Sequence, residues 1–178
     1  MKEQLKIDFE KILKISNFSE KDIKFKKDQL DKFIENGFPG KRLENWKFLD
    51  LNQIINKNIE NISFFNDYST TNKIDTSIYI DGLEHNKIIF INGRIEKIEF
   101  SYEDKNQIEI YDDIKSEDNF SVKNSLINLN NAFSNKYYKI LVKKGYSIKK
   151  PLIIYHLTNE KMKSKNINLR LDFELEQN

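Results

Sequence analysis

Cysteine is absent from the chain. That excludes disulfides, thiolate metal ligands and thiol nucleophiles. Histidine occurs only at His85 and His156, far apart in sequence. No carboxylate spacing beside either supplies the converging ligands that a metal site needs. Of the five glycines, none stands in a G-x-x-x-x-G-K or G-x-G-x-x-G array, so there is no phosphate cradle. Three arginines stand against 27 lysines, a poor supply of the bidentate forks that read phosphates and base edges. With 30 basic and 28 acidic side chains the net charge is only +2. That balance speaks against a bulk polyanion partner and predicts no nucleic-acid binding. The first residues carry charges of both signs without the apolar core of a signal peptide. No run approaches the roughly 18 apolar residues of a membrane span. A soluble, reducing, cytoplasmic setting without a membrane partner is expected. No Ser/His/Asp set at a usable spacing and no clustered carboxylates emerge, so the chain is read as not an enzyme.

What is present is bulk for a core and two periodicities. Only 38% of the residues are hydrophobic, but 13 Phe and eight Tyr compensate, since each aromatic buries on the order of 150–250 Å². Leu5, Phe9, Ile12 and Leu13 form one helical stripe. Ser19 with Asp22 reads as an N-cap with an acidic first turn. The helix that follows runs to about Asn36 with Ile23, Leu30, Phe33 and Ile34 inward. Gly37 stops it and Pro39 prevents it from resuming. Leu51, Ile54 and Ile55 mark one more short helix before a polar stretch, Asn56 to Asn72.

Beyond Ile74 the period becomes two. The apolar run Lys87 to Ile91 leads into Asn92-Gly93, a strong hairpin signal, with Ile95, Ile98 and Phe100 on the return strand. Further strands are expected over Gln107–Tyr111, Tyr138–Val142, Leu152–His156 and Ile167–Leu175, with a helical or turn segment at Ser125–Phe133. Pro151 suits a strand start, where no ladder donor is needed. Helices first and strands second predict an α+β class and argue against a doubly wound sheet. The last strand alternates well yet carries no terminating element, leaving an open edge. This reads as an incomplete chain.

The segment FIENGFPGKRLENWKFLDL, Phe33–Leu51, resembles the N-terminal block of the SufD family. The matching positions are Gly37, Phe38, Pro39, Lys41, Arg42, Glu44, Trp46, Lys47, Asp50 and Leu51. Departures are Gly40 and Leu49 where Thr is usual, Asn45, and Phe48 for Tyr. Later segments are similar in the family's order: IIFINGRI with Asn92 and Gly93, LINLNNAF with Asn130, and ILVKKGYSIKKPLIIYHL with Pro151. The resemblance implies an N-terminal helical region followed by β-strands that open a right-handed parallel β-helix, truncated here. Three regions follow from it: 1–72 helical, 73–124 a connecting region with the hairpin, and 125–178 the first β-helix coils. The function it implies is that of a non-catalytic scaffold subunit of the SufBCD-type iron–sulfur cluster assembly complex. A SufB-like paralogue and a SufC-like ATPase are the implied partners. The complex handles clusters and ATP, and no cofactor or metal is assigned to residues of this chain. The alternative is a stand-alone β-rich protein-binding module unrelated to cluster assembly.

Two readings compete within the specific block. Trp46 is either a contact anchor for another subunit or, the favoured reading, pins the post-helix loop to the core together with Phe48. Lys41, Arg42, Glu44 and Lys47 read as a solvated mixed-charge face, with Glu44 able to pair with Arg42 or Lys47. Tyr137 and Tyr138 beside Lys136 and Lys139 are one arrangement that stacks on single-stranded nucleic acid. At β spacing one tyrosine is instead expected in the core and the other at the surface.

Overall fold

The computed structural model describes residues 1–59, 61–65, 76–112 and 124–176. Four α-helices occur among them, α1 (Lys2–Ile15), α2 (Glu20–Asn36), α3 (Leu51–Asn58) and α4 (Ser125–Phe133). Six strands accompany them: β1 (Asn86–Ile91), β2 (Arg94–Glu99), β3 (Ile108–Asp112), β4 (Tyr137–Val142), β5 (Leu152–Leu157) and β6 (Arg170–Leu175). They divide between two compact units. One gathers the described residues of Met1–Asn66, Ile114–Tyr137 and Lys163–Arg170. The other gathers those of Asp67–Asp113, Tyr138–Met162 and Leu171–Asn178. The boundary expected at 72/73 and the second part of the polar stretch before it, from residue 66 on, lie outside the described residues.

The first unit is helical. Leu5, Phe9 and Ile12 of α1, Leu30 and Phe33 of α2, Phe64, and Leu129, Ala132 and Phe133 of α4 share one core. Phe133 is its hub, meeting Phe9 edge-on at 6.0 Å and Phe64 at 5.4 Å between ring centroids. The start of α2 carries a full capping box. Asp22 N donates to Ser19 Oγ at 3.2 Å, and Ser19 N donates to Asp22 Oδ2 at 3.2 Å, satisfying two donors that the helix itself cannot. The inward stripe of α2 also holds two polar residues, Lys26 and Gln29. Lys26 reaches the carboxyl end of α4, where Nζ donates to Asn131 O at 3.1 Å and to Ser134 O and lies 4.7 Å from the Phe18 ring. Its burial pushes the ammonium down to about 8, against a smaller upward pull from Asp22.

Asp8 ties α1 to the segment around Phe64. Its fully buried carboxylate accepts from Gln4 Nε2 (2.9 Å), Lys11 Nζ (3.0 Å), Ser63 Oγ (3.0 Å) and Phe64 N (2.8 Å). Burial raises this carboxyl, but the donors outweigh burial and hold it below its ordinary value.

The second unit holds two three-stranded sheets, ordered β2-β1-β5 and β3-β4-β6. Asn92 and Gly93 both adopt positive φ, 52° and 88°, and turn β1 back antiparallel into β2, pairing Ile91 with Arg94. β5 lies parallel on the other side of β1. The apolar run of β1 follows from its central place. Ile88 and Phe90 are buried on one face and Ile89 and Ile91 on the other. Tyr155 and Tyr79 pack with Ile89 and Ile91, while Phe90 meets Tyr138 edge-on at 5.3 Å. Tyr138 is thus the core member of the pair, whereas Tyr137 is half-buried beneath the Arg170 guanidinium rather than at the surface.

The α+β class holds, but the right-handed parallel β-helix does not form among the described residues. A β-helix needs each strand parallel to the strands of neighbouring coils. Here the Asn92-Gly93 turn makes β1 and β2 antiparallel, and β3 and β4 are antiparallel as well. β4 and β5, on either side of the turn at Gly145, belong to different sheets. Ser125–Phe133 is a helix of the helical unit rather than part of a coil. The expected last strand is shorter at its start, and β6 sits at a sheet edge beside β4 with Phe173 and Leu175 exposed.

Candidate functional site

The segment after α2 is an excursion closed at its own base. Gly37 ends the helix at φ 69° and ψ −168°, a region open to glycine almost alone, with its N–H on Phe33 O at 2.7 Å. Phe38 folds back edge-on against Phe33 at 5.1 Å. Pro39 is buried, and its carbonyl accepts Leu51 N at 3.2 Å, joining the two ends of the loop. Between them run short-range bonds, Leu43 N to Gly40 O (3.0 Å), Trp46 N to Leu43 O (2.8 Å) and Leu49 N to Trp46 O (2.8 Å), with a one-turn 3-10 helix at Glu44–Trp46. Asp50 caps α3, its Oδ1 accepting Gln53 N at 2.9 Å. This is the construction of an Ω-like loop, compact and surface-borne.

The side chains of this loop face outward. Phe48 is 87% exposed, Leu43 54% and Leu49 45%. Lys47 Nζ lies 5.0 Å from the Phe48 ring centre. Lys41, Arg42, Glu44 and Lys47 are exposed and Trp46 is half-buried. The favoured burial of Phe48 with Trp46 is therefore corrected. Phe38 anchors the loop, and backbone bonds at its base do what the larger aromatics were expected to do. The pairing of Glu44 also fails, since no ion pair joins it to Arg42 or Lys47 among the described residues.

Behind the loop lies a groove of about 1050 Å³ between α2, the loop and the start of α4. Phe38, Pro39 and Leu43 give it an apolar side, Lys41 and Arg42 a cationic one, and Asn124, Ser125 and Asn128 an amide and hydroxyl floor. Gly40 also lines it, and a Cβ there would stand 3.5 Å from Asp50 Oδ2, an ordinary contact.

Gly37, Pro39, Arg42, Glu44, Trp46, Lys47 and Asp50 thus come together in one loop. Asn130 belongs to the same unit and ties α4 to Leu169 O through Nδ2 at 3.1 Å. Asn92, Gly93 and Pro151 belong to the other unit, where they serve the strands. The Pro151 carbonyl accepts Asn86 N at 2.8 Å, and Asn92 Oδ1 accepts Asn159 N at 3.2 Å.

Two further constellations were not anticipated. His85 is buried, with Nδ1 2.6 Å from Leu83 O and Nε2 2.7 Å from the Tyr155 hydroxyl. Because Leu83 O can only accept, the proton is assigned to Nδ1, so Nε2 accepts from Tyr155. Tyr155 in turn accepts Ile80 N at 3.2 Å. Both ring nitrogens are occupied, leaving none for a ligand or a reacting proton. Asp104 is fully buried and gathers five donors, Asn86 Nδ2 (2.9 Å), Ser101 Oγ (2.9 Å), Tyr146 OH (2.8 Å), Lys149 N (2.9 Å) and Lys150 N (3.2 Å). Burial alone would raise its carboxyl. The bonds from Asn86, Lys149, Tyr146 and Ser101 prevail and hold it far below the usual carboxylate range. No sequence pattern announced it, for its donors lie up to 46 residues away. Lys26 and Gln29 did leave a signal, both falling at helical spacing between Ile23 and Phe33.

Among the described residues no cluster of three or more His, Asp or Glu side chains could hold a metal ion. No helix among them is long and apolar enough to cross a membrane. No family model matches the chain, and no curated protein matches it.

Proposed function

We propose that the chain is a non-catalytic scaffold subunit of a SufBCD-type iron–sulfur cluster assembly complex. It acts in the cytoplasm by binding a SufB-like paralogue and a SufC-like ATPase. Clusters and ATP are the business of the complex, and no cofactor is assigned to this chain. One observation carries the reading: the block that resembles the SufD family is the loop that turns Leu43, Phe48 and Leu49 outward. The loop closes through its own backbone bonds, so folding does not need these side chains exposed. Adjoining exposed apolar groups rimmed by charge are the chemistry of a protein contact.

Co-expression of the tagged chain with SufB-like and SufC-like partners tests this. Retention of the partners is expected, and Phe48→Ser with Leu49→Ser should lower it about tenfold or more, on the scale of a lost hot spot. Stability should change by less than about 0.5 kcal/mol for the Phe48 substitution, because that side chain is already in water. A chain that retains neither partner sinks the proposal. The second reading, a stand-alone binding module unrelated to cluster assembly, is favoured by the two small sheets found where a parallel β-helix was expected. It forecasts a chain that is monomeric and folds cooperatively without either partner.

A further inference from the structure

Four strands end a sheet among the described residues, β2 and β5 in one and β3 and β6 in the other. An edge strand offers unpaired backbone groups to any other strand, and proteins blunt such edges with charges, bulges or proline. Three of these edges are blunted. β2 carries Arg94, Glu96, Lys97 and Glu99 and bulges opposite Ile89 and Phe90. β3 carries Glu109 and Asp112, and β6 carries Arg170, Asp172 and Glu174. β5 reads LIIYHL, without Asp, Glu, Lys or Arg. Its one imidazole, His156, stacks on Phe90 at 4.7 Å, and burial lowers it below its ordinary value, so the strand is uncharged at neutral pH.

The phase of β5 decides which of its groups lie open. Asn86 N donates to Pro151 O at 2.8 Å and Asn92 N to Leu157 O at 2.9 Å, at the two ends of the ladder with β1. Successive residues of a strand aim their N–H and C=O to opposite sides. Ile153, Tyr155 and Leu157 therefore face β1, while Leu152, Ile154 and His156 face away from it. No described residue bonds the backbone of these three on that side. A charged strand finds no counter-charge on β5, but a second copy of β5 is its complement. Turned about a twofold axis through Ile154, two such strands run antiparallel, with Ile154 opposite its own copy and Leu152 opposite His156. Each outward N–H then meets an outward C=O, and no charge faces a like charge.

We propose that β5 is a dimer edge, pairing antiparallel with β5 of a second copy of this chain about Ile154 and joining the two β2-β1-β5 sheets into one. The inference goes beyond the assembly reading, which concerns the loop of the helical unit. It also stands against the monomer that the second reading forecasts.

Because the chain has no cysteine, single cysteines read the register directly. Hydrogen-bonded antiparallel pairs stand about 5.5 Å apart between Cα atoms, within reach of a disulfide. Ile154→Cys should therefore cross-link two copies under mild oxidation. Leu152→Cys should not, because its copies stand more than about 13 Å apart, four residues along the strand. Sedimentation velocity of the whole chain between about 1 and 100 μM should show a monomer–dimer equilibrium. His156→Lys, at an exposed position, puts a charge on the edge and should weaken the dimer about tenfold or more. The cross-linking contrast decides the matter if that substitution unfolds the chain. A chain still monomeric at about 100 μM, equal cross-linking of the two cysteine variants, or a dimer indifferent to His156→Lys in a folded chain each overturns the proposal. Alkylation of Ile154→Cys that is blocked only by a bound SufB-like protein overturns it too, and makes that protein the occupant. Cross-linking through Ile154→Cys in a chain that retains neither SufB-like nor SufC-like partner upholds this inference and defeats the assembly reading alone.

Discussion

Replacing Asp104 with asparagine is expected to be the most damaging single-atom change in the strand-bearing unit. The side chain is fully buried and receives five donors, three on Oδ2 and two on Oδ1. An asparagine amide must place its NH2 on one of these two sides. On the Oδ1 side it meets the Tyr146 hydroxyl, which can rotate and accept, and Lys149 N–H, which cannot. On the Oδ2 side it meets Lys150 N–H and the Asn86 amide. The better choice leaves one buried backbone N–H unpaired, at about 1–3 kcal/mol, and removes the charge assistance from the bonds that survive. The sum is about 3–5 kcal/mol, a large share of the roughly 5–15 kcal/mol that holds a domain folded. Urea unfolding followed by far-ultraviolet circular dichroism reads it. Trp46 fluorescence is the wrong probe, because that tryptophan belongs to the helical unit.

The pH dependence supplies a second check. The folded carboxyl lies far below its ordinary value of 3.8, so the folded state binds the proton less readily than the unfolded chain. Its stabilisation is therefore complete above the unfolded value and is lost as pH falls through the folded one. The gap between native chain and Asp104→Asn should stay level from neutral pH to about 5 and narrow below about 4. A loss under about 1 kcal/mol at neutral pH would refute the reasoning, because it would mean that the five donors find other partners.

Three further outcomes follow from the helical unit. Lys26 has its ammonium lowered from 10.5 to about 8 by burial. Between those values the unfolded chain holds a proton that the folded one has lost, so stability should rise with pH across that window, by about 3 kcal/mol at most. Lys26→Met should abolish the rise in paired melts at about pH 8 and about pH 10, and a rise of equal size in both proteins removes the claim. Gly37→Ala should cost about 1–3 kcal/mol although nothing lies within 4 Å of the added Cβ, because the expense is backbone strain at positive φ. Gly40→Ala, whose Cβ has the Asp50 carboxylate as its nearest neighbour at 3.5 Å, should stay within about 0.5 kcal/mol in the same chemical melt; a loss matching that of Gly37→Ala would contradict the geometry.

Local features were legible at single-residue grain. The capping box at Ser19 and Asp22, the stop at Gly37 and the turn at Asn92-Gly93 all fall where residue chemistry put them. Each depends on groups within a few positions of one another. The loop from Pro39 to Leu51 was legible as a block, but its orientation was not. Bulk alone argued for burying Phe48, and only the closure of the loop by Pro39 O and Leu51 N shows that the aromatic is not needed inside.

By itself, the sequence determined where most helices and strands lie, that helices precede most strands, and which residues turn the chain, because backbone sterics and side-chain periodicity act over one or two turns. Tertiary structure decided the rest. Strand pairing was read as the opening of a β-helix and became two sheets, with β1 flanked by β2 at two residues' distance and by β5 far along the chain. The polar knots at Asp8 and Asp104 join groups up to 56 and 46 residues apart. Such contacts depend on which distant segments share space, and loop-closure entropy leaves many partners nearly equal until packing selects one.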